Sequence, residues 1–231
     1  MATFRISPYA RRELAVCAAA ATALSALIAV AAWRFGWGLL GLLAVPLGLW
    51  GCVLWFFRDP QRESPADTGL LVSPADGRVA DITAIGPDGP LGAEGLKIGI
   101  FMSILDVHVN RCPEAATVVR VEHCDGAFLD ARRAEAAERN ESATILMTAR
   151  GGHPLVVRQV AGRIARRIVT DLSEGQSLAR GQRVGMIKFG SRVELMVPRD
   201  LVGRVCVSVG QRVLAGRTVL VASTEQGRRD G

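Results

Sequence analysis

Residues 183–198 read RVGMIKFGSRVELMVP, and this stretch decides the fold class. Two runs rich in valine, isoleucine and methionine flank the pair Gly190-Ser191, as two β-strands flank a turn. Similar short runs punctuated by glycine fill the chain from Leu70 onward: RVADITAI, LKIGIFM, ATVVRVEH, ATILMTA, PLVVRQVAG, RVCVSVG and TVLVAS. The sequence therefore predicts a mainly β fold, an antiparallel sandwich or barrel-like domain, with one helix over 130–140.

The first 57 residues are strongly apolar. Their charged side chains are Arg5, Arg11, Arg12, Glu13 and Arg34. Residues 14–33 and 35–57 carry no charge, and each stretch is about 30 Å long as a helix, the thickness of the hydrocarbon core of a bilayer. This pattern predicts a hairpin of two transmembrane helices over 1–57 and one soluble domain over 58–231.

The basic residues predict the orientation of this hairpin. Arginines precede the first apolar stretch, and Arg58 and Arg62 follow the second. The positive-inside rule then places the domain on the cytoplasmic face of the cytoplasmic membrane. The alternative is that the first stretch is a cleavable signal peptide, in which case the second would still anchor a domain that faces the cytoplasm.

Charge and cysteine content exclude other classes of protein. The net charge is +6, and half of it belongs to the first 57 residues, so the domain is only mildly basic. It has no basic stripe interleaved with aromatic residues, and nucleic acid is not a predicted partner. The five cysteines are scattered singly, without the close pairs of a zinc site, so we predict no metal and expect reduced, small core residues.

Four segments contain residues whose side chains could take part in catalysis or binding. They are SPADG with Asp76, DVHVNRCP with Asp106 and His108, AGRIARRIV with Arg163, Arg166 and Arg167, and FGSR with Gly190 and Ser191. Asp106 and His108 would share one face if their segment is a strand, and the arginines would suit an anion such as a phosphate. Each segment taken singly also has an ordinary structural explanation: a turn, a structural histidine or a solvated strand edge.

The order and spacing of these segments carry more information. FFRDPQRESP, SPADGRV, IFMSILDVHVNRCP, VRQVAGRIARRIV and GMIKFGSRVELMVP follow a membrane hairpin in that order. Together they resemble the short, membrane-associated form of phosphatidylserine decarboxylase, including its archaetidylserine-type relatives. The resemblance covers roughly residues 5–223.

The resemblance implies a self-processing enzyme. Such a proenzyme cuts itself between Gly190 and Ser191, giving a β chain, 1–190, and an α chain, 191–231. Ser191 becomes a covalent pyruvoyl group, the only cofactor implied, which forms a Schiff base with phosphatidylserine in the membrane. Loss of carbon dioxide then gives phosphatidylethanolamine, a step of phospholipid biosynthesis.

The resemblance also implies roles for individual residues. Asp76 corresponds to an aspartate implicated in self-cleavage, and His108 to a histidine held near the pyruvoyl group as a proton donor or base. Arg163, Arg166 and Arg167 are candidate contacts for the lipid phosphate. The sequence departs from the two-histidine form of the family, because Arg111 occupies the second histidine position. The base for self-cleavage is therefore not identified.

Two other functions remain open at this stage. The short strands separated by paired glycines near the C-terminus also suit a membrane-tethered carrier of the lipoyl or biotin type, or an adaptor module. A carrier needs a modifiable lysine at an exposed hairpin tip, but Lys188 lies inside a strand-like run. A pyruvoyl enzyme for a soluble amino acid would gain nothing from the anchor. The sequence leaves the oligomeric state open, a homo-oligomer included.

Overall fold

The computed structural model describes residues 5–129, 139–162, 167–188 and 191–224. The chain divides into two compact units, Met1–Gln61 and Arg62–Gly231. Most of the helix predicted over 130–140 falls outside the described residues.

The first unit contains two apolar helices, α1 (Arg11–Phe35) and α2 (Ala44–Phe56). Gly36 ends α1 with a φ of 127°, a conformation that favours glycine, and its N–H donates to the carbonyl of Ala32. With the flanking 3-10 turns, the candidate membrane spans are Pro8–Phe35 and Trp37–Phe56, with mean hydropathies of 2.3 and 2.1. Both are long and apolar enough to cross a membrane.

The second unit is built from fourteen antiparallel-paired strands among its described residues. The first seven are β1 (Leu70–Val72), β2 (Gly77–Ile85), β3 (Gly95–Met102), β4 (Val109–Arg111), β5 (Ala116–Cys124), β6 (Ser142–Ala149) and β7 (Pro154–Val160). The others are β8 (Arg167–Val169), β9 (Ser177–Leu178), β10 (Arg183–Lys188), β11 (Ser191–Pro198), β12 (Val202–Val205), β13 (Arg212–Val213) and β14 (Val219–Ser223).

These strands form three sheets around one core. The largest is a curled eight-stranded sheet in the order β13-β2-β3-β11-β7-β6-β5-β9, and the two small ones are β1-β14-β12 and β4-β10-β8. Side chains from all three sheets meet in the same hydrophobic cluster, among them Leu71, Ile100, Ile187 and Leu220. The mainly β, antiparallel fold with two apolar helices before it, as predicted from the sequence, is confirmed.

The central strand β11 is buried along its whole length. It pairs with β3 on one side and β7 on the other. Val193, Leu195 and Val197 face the main core, whereas Met196 belongs to a second cluster with Val156 on the opposite face. Because side chains alternate along a strand, Ser191 points to the same face as Val193.

Two details differ from the sequence prediction. The run RVCVSVG is not one strand, because β12 ends at Val205 and a turn follows, closed by the bond from the Gln211 N–H to the Ser208 carbonyl. The cysteines are not uniformly core residues. Cys112 is buried, but Cys124 is exposed and Cys206 is half-buried.

Candidate active site

Ser191 begins β11 in the interior of the β-rich unit. Its side chain is fully buried, and its Oγ donates to the Sδ of Met102 at 3.4 Å. The register explains this contact, since Ser191 pairs directly with Met102, the last residue of β3. Gly190, the other half of the predicted cleavage site, lies outside the described residues. The serine hydroxyl is thus buried, and a weak sulfur acceptor is its partner.

His108 lies beside the segment that leads to Ser191. It precedes β4, and its carbonyl accepts from the N–H of Ile187 in β10 at 3.3 Å, three residues before 190. The ring is fully buried, with Nδ1 3.0 Å from the carbonyl oxygen of Asp106. A carbonyl only accepts, so this bond requires the proton on Nδ1, and the neutral ring then presents Nε2 as its basic atom.

Asp106 closes a turn rather than sharing a strand face with His108. Its N–H donates to the Ser103 carbonyl at 3.0 Å, and its Oδ2 accepts from the Ser103 N–H at 2.8 Å. Oδ1 is 3.4 Å from a guanidinium nitrogen of Arg212. The expectation of one shared strand face is therefore wrong, because the aspartate satisfies the backbone of a turn. Its contribution to the site is the carbonyl that orients His108.

Asp76 lies in the loop that joins β1 to β2. Its carboxylate forms a two-pronged ion pair with Arg62, in which Nη2 to Oδ2 is 2.6 Å, and Oδ1 also accepts from the Ala215 N–H at 2.8 Å. Arg62 donates in turn to the Ala215 carbonyl at 2.8 Å. The two ionised side chains are only 8% and 6% exposed. Asp76 thus binds the C-terminal part of the chain through a buried, charge-assisted network.

The sheet register brings the Asp76 loop to the same end of the sheet as Ser191. Arg78 pairs with Phe101, and Ser191 pairs with the next residue, Met102. Gly77 has a φ of 151°, and a Cβ there would overlap the Phe101 carbonyl and lie 3.2 Å from Ile100. Only glycine allows the loop to pass this close to β3.

Arg111 occupies the position at which the two-histidine form of the family has a histidine. It is 7% exposed. Its backbone N–H donates to the Pro74 carbonyl at 2.9 Å, and Nη1 of its side chain donates to the Gly181 carbonyl at 2.9 Å. A guanidinium has no lone pair to accept a proton at physiological pH. Arg111 therefore adjoins the Asp76 loop but does not serve as a base.

A buried amide network next to Ser191 was not predicted from the sequence. Asn110 Oδ1 accepts from Gln159 Nε2 at 2.7 Å, and Gln159 Oε1 accepts from Thr170 Oγ1 at 2.8 Å. The Asn110 amide also lies 3.7 Å from Met102 Sδ, the sulfur that Ser191 contacts. The sequence feature that could have indicated this network is a single amide side chain within each of two largely apolar runs, VHVNRC and VVRQVAG.

A second unpredicted cluster surrounds the residue that follows Ser191. Arg192 is 2% exposed, and its guanidinium bonds Glu194 at 2.9 Å and Asp81 at 2.6 Å. Gly99 leaves the room that this guanidinium fills, because a Cβ at position 99 would overlap it. The cluster ties β11 to β2 across β3, on the face opposite to Ser191.

Two of the three predicted phosphate-binding arginines, Arg163 and Arg166, lie outside the described residues. Arg167 begins β8, is exposed, and pairs in register with Lys188 of β10. Within the described ranges there is no group of three or more histidine, cysteine or acidic side chains that could hold a metal ion.

Comparison with known proteins identifies the class of enzyme. The family model described as phosphatidylserine decarboxylase matches residues 49–221. Proteins named phosphatidylserine decarboxylase proenzyme from Paramagnetospirillum magneticum and Symbiobacterium thermophilum are 40% and 45% identical, over 86% and 84% of this chain and 90% and 87% of those proteins. One of the same name from Rhodopirellula baltica is 41% identical, over 89% of this chain and 84% of its own length.

These matches define the chain as a decarboxylase, a carboxy-lyase. It belongs to the phosphatidylserine decarboxylase family.

Proposed function

We propose that the chain is a phosphatidylserine decarboxylase proenzyme, which cuts itself between Gly190 and Ser191 and converts Ser191 into a pyruvoyl group. The observation that carries this proposal is the position of Ser191, a fully buried serine at the first residue of the central strand. The relatives, named as proenzymes, support processing into two chains. The products would be a β chain, 1–190, and an α chain, 191–231.

The self-cleavage can be written with all atoms accounted for. The Oγ of Ser191 attacks the Gly190 carbonyl, and the amide becomes an ester with release of the Ser191 amine. A base removes the Ser191 α-proton, the Gly190 carboxylate leaves, and a dehydroalanine remains. Water then replaces the nitrogen, ammonia departs, and the new end is a pyruvoyl group.

The residues around Ser191 suit this group. Ser191 is fully buried and its hydroxyl contacts Met102, so the new carbonyl would be shielded from bulk solvent once the water that the last step consumes has reacted. When formed, the pyruvoyl group supplies the electron sink for decarboxylation. The chain's own residues would position the substrate and transfer protons. His108 presents Nε2 while the Asp106 carbonyl fixes its ring. Gln159 holds Asn110 beside the Met102 sulfur.

The proposed substrate is phosphatidylserine in a membrane, and the product is phosphatidylethanolamine. The two apolar helices support a membrane anchor, and the arginines around them favour a catalytic unit on the cytoplasmic face of the cytoplasmic membrane. Arg163, Arg166 and Arg167 remain candidates for the lipid phosphate.

The carrier alternative lacks a suitable lysine. The sequence has two lysines, Lys97 and Lys188. Lys97 lies within β3, and Lys188 ends β10 with 5% of its surface exposed. A carrier presents its modified lysine at an exposed hairpin tip, so neither residue fits that use.

Intact-mass measurement tests the proposal. Scaling the total mass of 24.6 kDa by residue number gives fragments of roughly 20 and 4 kDa. The smaller fragment should be about 17 Da lighter than a peptide beginning with serine, because the net change is the loss of one ammonia: the serine side-chain oxygen leaves with Gly190, and water supplies the new carbonyl oxygen. Ser191→Ala should stay uncut and release no carbon dioxide from phosphatidylserine, whereas Ser173→Ala, at an exposed position, should behave as wild type. A single intact chain in active wild-type protein would refute the proposal.

A further inference from the structure

We propose that two neighbouring turns of the β-rich unit, 103–106 and 208–211, form a docking surface for an anionic phospholipid bilayer. We call them the apolar turns. The proposal deepens the proposed function and rests on it, since the headgroup of a lipid substrate must reach Ser191 from the bilayer surface.

The apolar turns hold the most exposed large hydrophobic side chains of this unit. Among its described residues five such side chains are more than a third exposed. The three most exposed are Leu105 at 73%, Val209 at 62% and Ile104 at 49%. The other two, Val119 and Phe128, are at 45% and 37%. Exposed apolar residues are ordinary when scattered, but their concentration in two turns indicates an interaction surface.

Direct contacts bring the two turns together. Arg212, which follows the second turn, reaches Oδ1 of Asp106, the last residue of the first turn, at 3.4 Å. Gly210 donates to the Val79 carbonyl at 2.8 Å and accepts from the Arg78 side chain at 3.0 Å. Arg78 pairs with Phe101, two residues before the first turn. Both turns therefore lie at the same end of β2, β3 and β13.

The charged side chains beside the apolar turns indicate which kind of partner binds there. Arg78 is exposed, and the Arg212 side chain is 68% exposed. The carboxylate of Asp106 is only 10% exposed and is bonded to the Ser103 N–H, so the cations dominate the outer surface. Apolar side chains flanked by arginines match an anionic bilayer, in which the former enter the interface and the latter meet headgroups.

The apolar turns also adjoin the residues of the candidate active site. Met102, directly before the first turn, contacts the Ser191 hydroxyl. Asp106, at the end of that turn, orients His108 through its carbonyl. Docking at this position would bring a headgroup close to these residues, with the acyl chains remaining in the bilayer.

The first experiment compares two physical forms of the substrate. Full-length protein is reconstituted into vesicles of phosphatidylcholine, phosphatidylglycerol and phosphatidylserine, and kcat/KM is also measured with short-chain phosphatidylserine below its micelle concentration. Leu105→Asp should lower kcat/KM about tenfold or more on vesicles, because one apolar contact is lost and a charge is added, but less than about twofold on the monomeric lipid. Val119→Asp is the matched control on β5 and should change neither value by more than about twofold.

The second experiment does not depend on catalysis. Leu105→benzoylphenylalanine in the full-length protein, irradiated in phosphatidylglycerol vesicles, should gain the mass of a phospholipid at position 105, and the same change at Val119 should not. Equal losses on both substrates, a missing lipid adduct, or an adduct to a second protein chain would overturn the docking surface. An uncut wild-type chain would instead refute the proposed function, and the crosslink would still test docking.

Discussion

The buried ion pair between Arg62 and Asp76 allows a quantitative test of what Asp76 does. Asp76→Leu would leave the Arg62 guanidinium, 8% exposed, without its counter-ion and the Ala215 N–H without its acceptor. Removing one partner of a buried pair costs about 3–5 kcal/mol. That loss is a large share of the roughly 5–15 kcal/mol that stabilises a typical domain. We therefore expect the free energy of unfolding of the β-rich unit to fall by about that amount.

The measurement requires an uncut chain and a signal from the β-rich unit. Ser191→Ala supplies the first. All four tryptophans, Trp33, Trp37, Trp50 and Trp55, lie in the first unit, so tryptophan fluorescence does not report on the second. Denaturant unfolding should therefore be followed by far-ultraviolet circular dichroism of the strands.

Two further variants separate charge from shape. Asp76→Asn keeps an acceptor for the Ala215 N–H and should cost less, about 1–3 kcal/mol. Arg62→Met combined with Asp76→Leu removes both charges and should recover much of the loss. A cost below about 1 kcal/mol for Asp76→Leu, or a double variant no more stable than Asp76→Leu alone, would contradict a coupled buried pair.

The same residue can then be tested for a role in self-cleavage. With Ser191 present, a folded Asp76→Asn chain that accumulates as proenzyme would assign the carboxylate to maturation, as the resemblance to the family implies. Normal cleavage of this variant would leave Asp76 with the structural role of binding Ala215.

Three other experiments probe the site and its surroundings. His108→Ala should give both fragments and a pyruvoyl end but little product, because Nε2 no longer moves a proton; an uncut chain by mass would assign His108 to maturation instead. Gly99→Ala should lower the free energy of unfolding by about 1–3 kcal/mol, since the new methyl group displaces Arg192, whereas Gly86→Ala, in open space, should stay within about 0.5 kcal/mol. Burial raises the pKa of the Cys112 thiol to about 12, so it stays protonated at pH 8 and should resist alkylation until the chain unfolds, while exposed Cys124 reacts. Labelling of Cys112 in folded protein would contradict its burial.

The strands could be predicted from the sequence because their signal is local. RVELMVP combines β-branched and other apolar residues, and it forms β11. RVCVSVG has similar residues but contains a turn, since Gly210 has a φ of 86° and its N–H bonds to Val79 in β2. Such pairing depends on residues more than a hundred positions apart, which a short window does not contain.

The candidate site likewise contains residues that the sequence could predict and residues that it could not. Ser191, His108 and Asp76 could be selected from motifs in their order along the chain. Arg62 could not be selected in this way. An arginine that follows an apolar segment is typically a cation at a membrane surface, whereas Arg62 pairs with Asp76 in the structure. The contact is fixed by the fold and not by any local pattern.

The topology bears on how a cut chain would keep its new end in place. Cleavage before Ser191 would leave β11 between β3 and β7, both of which belong to the β chain. β14 would remain paired with β1, and the buried bonds of Arg192 with Asp81 and of Ala215 with Asp76 would join the two chains. Separating the chains would break both edges of a fully buried central strand, so it requires unfolding of the unit. A group made from Ser191 would therefore stay beside Met102 without a peptide bond on its N-terminal side.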